Sequence, residues 1–440
     1  MKFFTSQATA KDQLPDSLDI NDEFKSAFDL MERTKECLFI TGKAGTGKST
    51  LLKYFKANTG KNIIVLAPTG VAAVNVGGQT VHSFFRLPPK IIQKDMIRRL
   101  KDRSLFENLD MIIIDEVSMV RSDLMDGIDY ALRLNCGRMK KPFGGVQMVF
   151  FGDLFQLSPV VEDEAKQLLG ERYLSPYFFS AKVFDDCHIK KIELSTIYRQ
   201  KDSSFMELLN RVRNKEHTEE DLKILNKKVR KDATVSREES TVILSTTNRL
   251  AEAINQERLS KLPGKEIVYK AMATGRFEEP AYPAEASLRL KKGAQVILIK
   301  NDPDKRWVNG TLAKVAALSQ DSIVVDINGF EYDVPITKWE RIEYSYNEEE
   351  DKIEDEVVGE FAQYPLKLAW AITIHKSQGQ TFDKVIIDLG YGAFTHGQLY
   401  VALSRCTCLD GIKLKRPVVH SDIIFDERIY EFSERFASLV

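Results

Sequence analysis

The sequence predicts an α/β fold of buried parallel strands, broken by two segments of a different rhythm. Three observations carry the prediction. Short apolar runs bounded by turn residues recur along the 440 residues, at 37–41, 63–67, 111–114, 146–151, 242–244, 296–299, 323–325 and 385–389. Stretches of helical period follow several of them, as at 49–57 and 122–134. Runs of near-continuous Ile and Val, such as MIIIDE, suit strands covered on both faces, which is the condition of a parallel sheet. At about 150 residues per domain, the length suits two to four domains.

Composition narrows the field. Hydrophobic residues make up 43% and charged residues 29%, which excludes wholesale disorder. Lys plus Arg number 63 and Asp plus Glu 64, a net charge of −1. A general basic coat for nucleic acid is thereby excluded, and any such binding must use a local groove. No apolar run approaches the roughly 18 residues of a membrane span. The opening MKFFTSQATAKDQLPD has neither a long apolar core nor an Arg-rich pattern, so no leader is expected. The cysteines, Cys37, Cys136, Cys187, Cys406 and Cys408, are odd in number and scattered. They do not read as a disulfide framework, and Cys406 and Cys408 lack a second pair for a zinc site. Buried thiols and a cytosolic compartment are the expectation.

The two breaks in rhythm differ from each other. Residues 77–103 are basic and contain Pro88 and Pro89. Residues 288–358 turn to short strands with turn signals, read as a small β-barrel or hairpin insert. That insert ends in the acidic run NEEEDKIEDE, residues 347–356, expected to be a solvated loop tip.

Gly42-Lys43-Ala44-Gly45-Thr46-Gly47-Lys48-Ser49 fits G-x-x-x-x-G-K-[ST], after the strand CLFIT and before the helix STLLKYF. Such a loop turns backbone N–H groups inward to cradle phosphates at a helix N-terminus. Gly42, Ala44, Gly45, Thr46, Gly47, Lys48, Ser49 and Thr50 are the expected nucleotide contacts. Lys48 would reach the β- and γ-phosphates, and the Ser49 hydroxyl would hold Mg²⁺. A second strand, LDMIIIDE, delivers an acidic pair. Asp115 would join the Mg²⁺ shell and Glu116 would act as general base on the attacking water. The chain therefore binds a nucleoside triphosphate, and no guanine-reading [NT]-K-x-D stands in a plausible place.

Further motifs stand in order: APTGVAA (67–73), GQTVHSFF (78–85), FGDLFQLSPV (151–160), LSTIYRQ (194–200), AITIHKSQGQT (371–381) and YVALSR (400–405). Together they resemble superfamily 1 helicases that move 5′ to 3′ on single-stranded DNA. Within these the chain is similar to the PIF (petite integration frequency) family, whose own signature the stretch EVSMVRSDLMDGIDYALR resembles. RecD-like helicases are the nearest cousins. The resemblance spans about residues 24–412. It implies two RecA-like motor domains, 1–190 with a small insert at about 71–103 and 191–440 with an SH3-like insert at about 290–360. One departure stands before the P-loop, where the family places an adenine-reading glutamine. LDINDEFKSAFDLMER offers Asn21 and Glu23 instead.

The resemblance also implies roles. Arg199 and Arg405, in separate motifs of the second motor domain, would reach the triphosphate from across the cleft as arginine fingers in cis. Gln156 would sense the γ-phosphate, and Gly379 would give close backbone approach to nucleotide or DNA. The DNA track would combine Thr69, Gly70, Thr80, His82 and Phe84 with Thr246, Asn248, His375, Lys376 and Ser377, gripping phosphates and sugars without sequence preference. Lys90, Lys94, Arg98, Arg99, Lys101 and Arg103 are either a duplex-facing pin region or a solvated helix face. Lys300, Arg306, Trp307 and Lys314 are the expected DNA side of the β insert.

The expectation is an ATP- and Mg²⁺-dependent 5′-to-3′ DNA helicase, a bacterial-type cytoplasmic protein, monomeric in solution, acting on single-stranded and forked DNA. G-quadruplexes, RNA–DNA hybrids and roles in repair, recombination and telomere maintenance follow only from the resemblance. The rivals are a RecD-like subunit of a nuclease complex, a DNA-stimulated ATPase remodeller that never unwinds, and an RNA helicase.

Overall fold

Six strands of the first half pair into one parallel sheet: β1 (Cys37–Gly42), β2 (Ile63–Ala67), β3 (Gln79–Thr80), β4 (Met111–Ile114), β5 (Gln147–Phe151) and β6 (Ile189–Leu194). The computed structural model describes residues 20–437 apart from 162, 201, 231–240, 278, 280, 281, 348 and 351. The reading of the first sixteen residues as leader-free lies outside this range. The sheet order is β3-β2-β4-β5-β1-β6, with every neighbouring pair parallel. Every residue of β1, β4 and β5 is buried, as unbroken apolar runs require. One face packs on Phe24, Met31, Leu51 and Phe55 of the helices Asp22–Arg33 and Lys48–Asn58. The other packs on Ile128 and Leu132 of the helix Ser122–Asn135 and on Phe143 and Phe178.

The order places the carboxyl ends of β4, β5, β1 and β6 side by side. In open α/β sheets ligands bind at that edge. Here it carries, in the same sequence, the acidic pair, the segment with Gln156, the P-loop and the segment with Arg199.

A second parallel sheet runs Ala371–Thr373, Val242–Ser245, Val385–Asp388 and Ile412–Leu414 in that spatial order. Between its first and second strands in the chain lies an antiparallel β-rich region. It begins at Ile267–Lys270 and closes at Leu366–Leu368, earlier and later than the expected 290–360. Ile267–Lys270 pairs with Ser287–Leu290, and Met272–Gly275 with Lys352–Gln363. Such pairings across many residues leave no local signature. The acidic run becomes the tip of a long hairpin, Thr337–Asn347 with Lys352–Gln363, and the start of its return strand.

That hairpin reaches the first sheet. The Tyr344 ring sits 6.2 Å from Phe84, the Arg341 guanidinium donates to Ser83 Oγ at 3.1 Å, and Gln79 donates to the Ile342 carbonyl. The segment expected as a free insert, 71–103, is therefore not separate. Gln79–Thr80 is an edge strand of the first sheet. Val81, Phe84, Phe85, Leu87, Ile92 and Ile97 belong to its core. Between residues 87 and 103 the only regular element is a 3₁₀ turn, Lys94–Met96, so the basic residues there lie on no helix face.

The end of the chain also departs from the expected division. The last helix, Glu427–Ala437, crosses back to the first sheet. Ile429 and Phe432 join its core, and Phe432 stacks on Phe179 at 4.3 Å. An amphipathic helix at a chain end carries no label saying which unit its apolar face will meet.

Candidate active site and nucleic-acid interface

The P-loop wraps the start of the helix Lys48–Asn58. Gly45 has φ +84°, and a Cβ there would lie 2.5 Å from the Cβ of Arg199. Only glycine lets the segment after β6 close over the loop. The Lys48 ammonium donates to the carbonyls of Gly42 at 2.6 Å and Lys43 at 3.0 Å. Burial pushes its pKa down, against the pull of Asp153 and Glu116. A cation so placed has every electrostatic reason to accept a phosphate.

Asp115 and Glu116 follow β4 as expected. Burial, with Glu116 alongside, pushes Asp115 up to about 7, and burial likewise raises Glu116. Two adjacent carboxyls, Asp115 buried and Glu116 half-buried, call for positive charge. Glu116 also adopts φ +50° and ψ +42°, a left-handed conformation uncommon for a residue with a side chain. Strain of this kind persists where the surroundings fix a functional side chain. The Asp115 Oδ1 accepts from the Glu116 amide at 2.9 Å, and Glu116 alone of the two lines the cleft.

Arg405 is the clearest electrostatic signal. It is 1% exposed, yet its guanidinium meets only neutral groups: the carbonyls of Val401, Ser377 and Gln380, and the Ser404 hydroxyl. Burial and the nearby charge of Arg199 hold its pKa down to about 9, so it stays charged at neutral pH. Arg199 donates to the Ser404 carbonyl at 3.4 Å, and burial lowers its pKa too. Two guanidiniums whose hydrogen bonds go only to neutral groups, with the Glu116 carboxylate nearby, make a site for a further anion.

These groups converge. A cleft of about 640 Å³ between the units is lined by Ala44, Gly45, Thr46, Gly47, Lys48, Ser49 and Thr50 on one side. Glu116, Gln156, Arg199, Gly379 and Arg405 complete the wall. Sequence reasoning missed three further lining residues, Phe24, Tyr198 and Thr381. Tyr198 and Thr381 stood inside the motifs themselves. Asn21 and Glu23 turn out to brace the Arg199 segment: Asn21 donates to Thr196 and Tyr198, and Glu23 accepts from the Ser195 amide at 2.9 Å. Where a base-reading glutamine was expected, the structure offers the rings of Phe24 and Tyr198.

The units meet tightly beside the cleft. The Tyr400 hydroxyl accepts from the Ala44 amide at 3.2 Å. A His396 ring nitrogen pairs with the Leu154 carbonyl at 3.0 Å, and the Ser158 and Thr395 hydroxyls are 2.8 Å apart. Gly397 lies against the backbone of Phe155 and Gln156.

The expected DNA contacts divide. Thr69, Gly70 and Thr80 lie at the carboxyl ends of β2 and β3. Thr246 and Asn248 follow Val242–Ser245, and His375 and Lys376 follow Ala371–Thr373. Both sets therefore occupy the same edge of their sheets. His82 stands half-buried beside them, its Nδ1 3.2 Å from the Leu87 carbonyl. Lys300 and Lys314 are exposed, with Lys300 over the Trp339 ring at 5.5 Å. Five residues are corrections, the first being Thr246, which is buried at 7% exposure. Phe84 is buried among Phe85, Phe106 and Tyr344, so it offers no face to a base. Ser377 is fully buried, its hydroxyl spent on the Ile374 carbonyl. Trp307 is buried in the insert core, while Arg306 pairs with Asp302 at 2.7 Å.

Known proteins share this arrangement. The model of the PIF1-like helicase family matches residues 19–226, and that of the UvrD-like helicase C-terminal domain matches 368–407. The ATP-dependent DNA helicase Pif1 of Bdellovibrio bacteriovorus is 33% identical over 434 residues, covering 96% of this chain and 93% of that one. This chain belongs to the PIF1-like helicase family. The ATP-dependent DNA helicase RRM3 of Saccharomyces cerevisiae is 29% identical, covering 95% of this chain and 68% of its own. Bacteroides Pif1 in complex with ADP-AlF4 superposes with a TM-score of 0.88 at 36% identity, over 96% of this chain and 98% of that one. Bacteroides Pif1 bound to single-stranded DNA, at 37% identity and the same coverage, gives 0.70. The reading of the motifs as those of a nucleotide-driven helicase holds for this chain. Among the described residues, no helix is long and apolar enough to cross a membrane.

Proposed function

We propose that this chain moves 5′ to 3′ along single-stranded DNA, driven by ATP hydrolysis with Mg²⁺, and separates strands at forked duplexes. The observation that carries the reading is Arg405, a buried charge whose hydrogen bonds all go to neutral groups, lining one cleft with Arg199 and Lys48. A triphosphate between them would neutralise all three and draw the units together.

The residues fit a magnesium ion. Ser49 lines the cleft and Asp115 stands behind it at the end of β4, its Oδ1 accepting from the Glu116 amide, so both offer hard oxygens; among the described residues no larger ligand cluster competes. Magnesium keeps several waters and takes its other ligands from phosphates, so two protein oxygens suffice. When bound, it would neutralise charge on the β- and γ-phosphates. Lys48 holds the β,γ end of the nucleotide. Glu116 takes the proton of the attacking water. Arg199 and Arg405 meet the charge that develops on the γ-phosphoryl, and they do so only when the cleft is closed. Opening after hydrolysis removes them and resets the grip. Each nucleotide state thus favours a different spacing of the DNA contacts on the two sheet edges, and that difference makes motion directional.

The test is strand separation on duplexes with a 5′ or a 3′ single-stranded tail, with Glu116→Gln as control. Unwinding of the 5′-tailed duplex alone, absent in the control, is the expected result. Unwinding of the 3′-tailed duplex alone overturns the polarity, and stimulated hydrolysis without unwinding favours the remodeller. Tailed G-quadruplexes and RNA–DNA hybrids belong to the same proposal and rest on the family resemblance alone.

A further inference from the structure

We infer that Arg213, in the helix Ser203–Asn214 of the second motor unit, is a positioning residue that sets Gln156 of the first unit for the γ-phosphate through Asp153. The three side chains form one chain of contacts across the junction. Arg213 Nη2 lies 3.1 Å from Asp153 Oδ1. Asp153 Oδ2 accepts from Gln156 Nε2 at 3.2 Å. The guanidinium carbon lies over the Phe155 ring, 3.6 Å from its centre, in the residue next to Gln156. One carboxylate is thus shared: Oδ1 accepts from Arg213 of the second unit and from the Phe155 amide at 3.2 Å, and Oδ2 from the side chain that lines the cleft.

The pair is dry. The Asp153 side chain is fully buried and that of Arg213 is 7% exposed. Buried ion pairs add little stability, because desolvation consumes most of their attraction. Arg213 Nε even lacks a partner. Stability therefore explains this pair poorly. Position explains it better, because the pair joins two units that must separate and rejoin in every cycle. Closed, Arg213 fixes the carboxylate, and Gln156 is held by both its backbone amide, which donates to the Asp153 carbonyl at 3.0 Å, and its side chain. Open, the carboxylate keeps only the Phe155 amide on that oxygen, and the acceptor of Gln156 is held less firmly. Arg213 touches no part of the cleft itself, so its influence passes through the other two residues.

The inference rests on reading Gln156 as the γ-phosphate sensor, and the experiment separates the two. Full-length Gln156→Ala, Arg213→Met, Arg213→Lys and the Gln156→Ala/Arg213→Met double variant are compared in DNA-stimulated ATP hydrolysis, with melting temperature measured on each. Arg213→Met is expected to lower kcat by about 10–100-fold with KM within about 3-fold, and the double variant to match Gln156→Ala within about 2-fold. Arg213→Lys, which keeps the charge but not the planar fork, should recover part of the loss at an unchanged melting temperature. Losses that multiply in the double variant would overturn the inference. So would a normal kcat in Arg213→Met beside a low one in Gln156→Ala, or a loss in Arg213→Lys that merely follows its melting temperature. A normal kcat in Gln156→Ala would instead overturn the sensor reading.

Discussion

Gly397→Ala should slow hydrolysis although Gly397 does not itself line the cleft. Gly397 has φ +71°, and a Cβ there would lie 2.3 Å from the Gln156 carbonyl oxygen and 2.5 Å from that of Phe155. Ordinary contact begins near 3.4 Å. Both obstacles are backbone, so no side chain can swing aside. The second unit must back away from the segment 155–156 by about 1 Å, because packed interiors do not compress. The left-handed conformation adds about 1–2 kcal/mol to the cost for any residue with a Cβ. A 1 Å misplacement of reacting groups costs on the order of 100-fold in rate, or about 2.7 kcal/mol of barrier. The assay is steady-state ATP hydrolysis with saturating single-stranded DNA. A kcat reduced about 100-fold, with a modest rise in KM, is expected. A kcat within about 2-fold of wild type would refute the idea that this junction sets the closed geometry.

Two further outcomes follow from the charges. Arg405→Ala should reduce kcat far more than it weakens nucleotide binding, because its charge matters most when the γ-phosphoryl leaves. Equal losses in kcat and in the Kd of a fluorescent nucleotide would make it a binding group. Asp221 accepts both a 2.9 Å and a 2.7 Å bond from Arg211, and this pairing holds its carboxyl down to about 2. A lowered folded pKa stabilises above the unfolded value and is lost as pH falls through the folded one. Chemical denaturation should therefore show Asp221→Asn weaker than wild type by about 2 kcal/mol at pH 6, with the gap closing as pH falls from 4 towards 2. A gap independent of pH would assign the loss to packing.

What the sequence revealed was local. The run MIIIDE announced a covered strand and its acidic pair at once, because apolar continuity and position in the chain coincide there. The P-loop was legible because glycine, lysine and serine are each fixed by phosphate chemistry. Features made by distant partners stayed hidden. Phe84 sat inside a motif that suggested DNA, yet Tyr344, more than 250 residues away in sequence, covers it. Residues 267–275 alternate too weakly to announce strands until Ser287–Leu290 and Lys352–Gln363 arrive beside them. Arg213 carried no motif at all. Its meaning comes from Asp153, which no spacing rule links to it.

The last helix changes how this molecule must be made. Residues 427–437 complete the core around Phe39, Phe178 and Phe179, which the ribosome synthesises more than 200 residues earlier. Until that helix emerges, the first unit waits with an aromatic surface open to water. Translation therefore runs ahead of folding, and a chain stalled before residue 427 carries an exposed apolar patch suited to a chaperone. The unit that binds nucleotide first in the sequence is among the last to be finished.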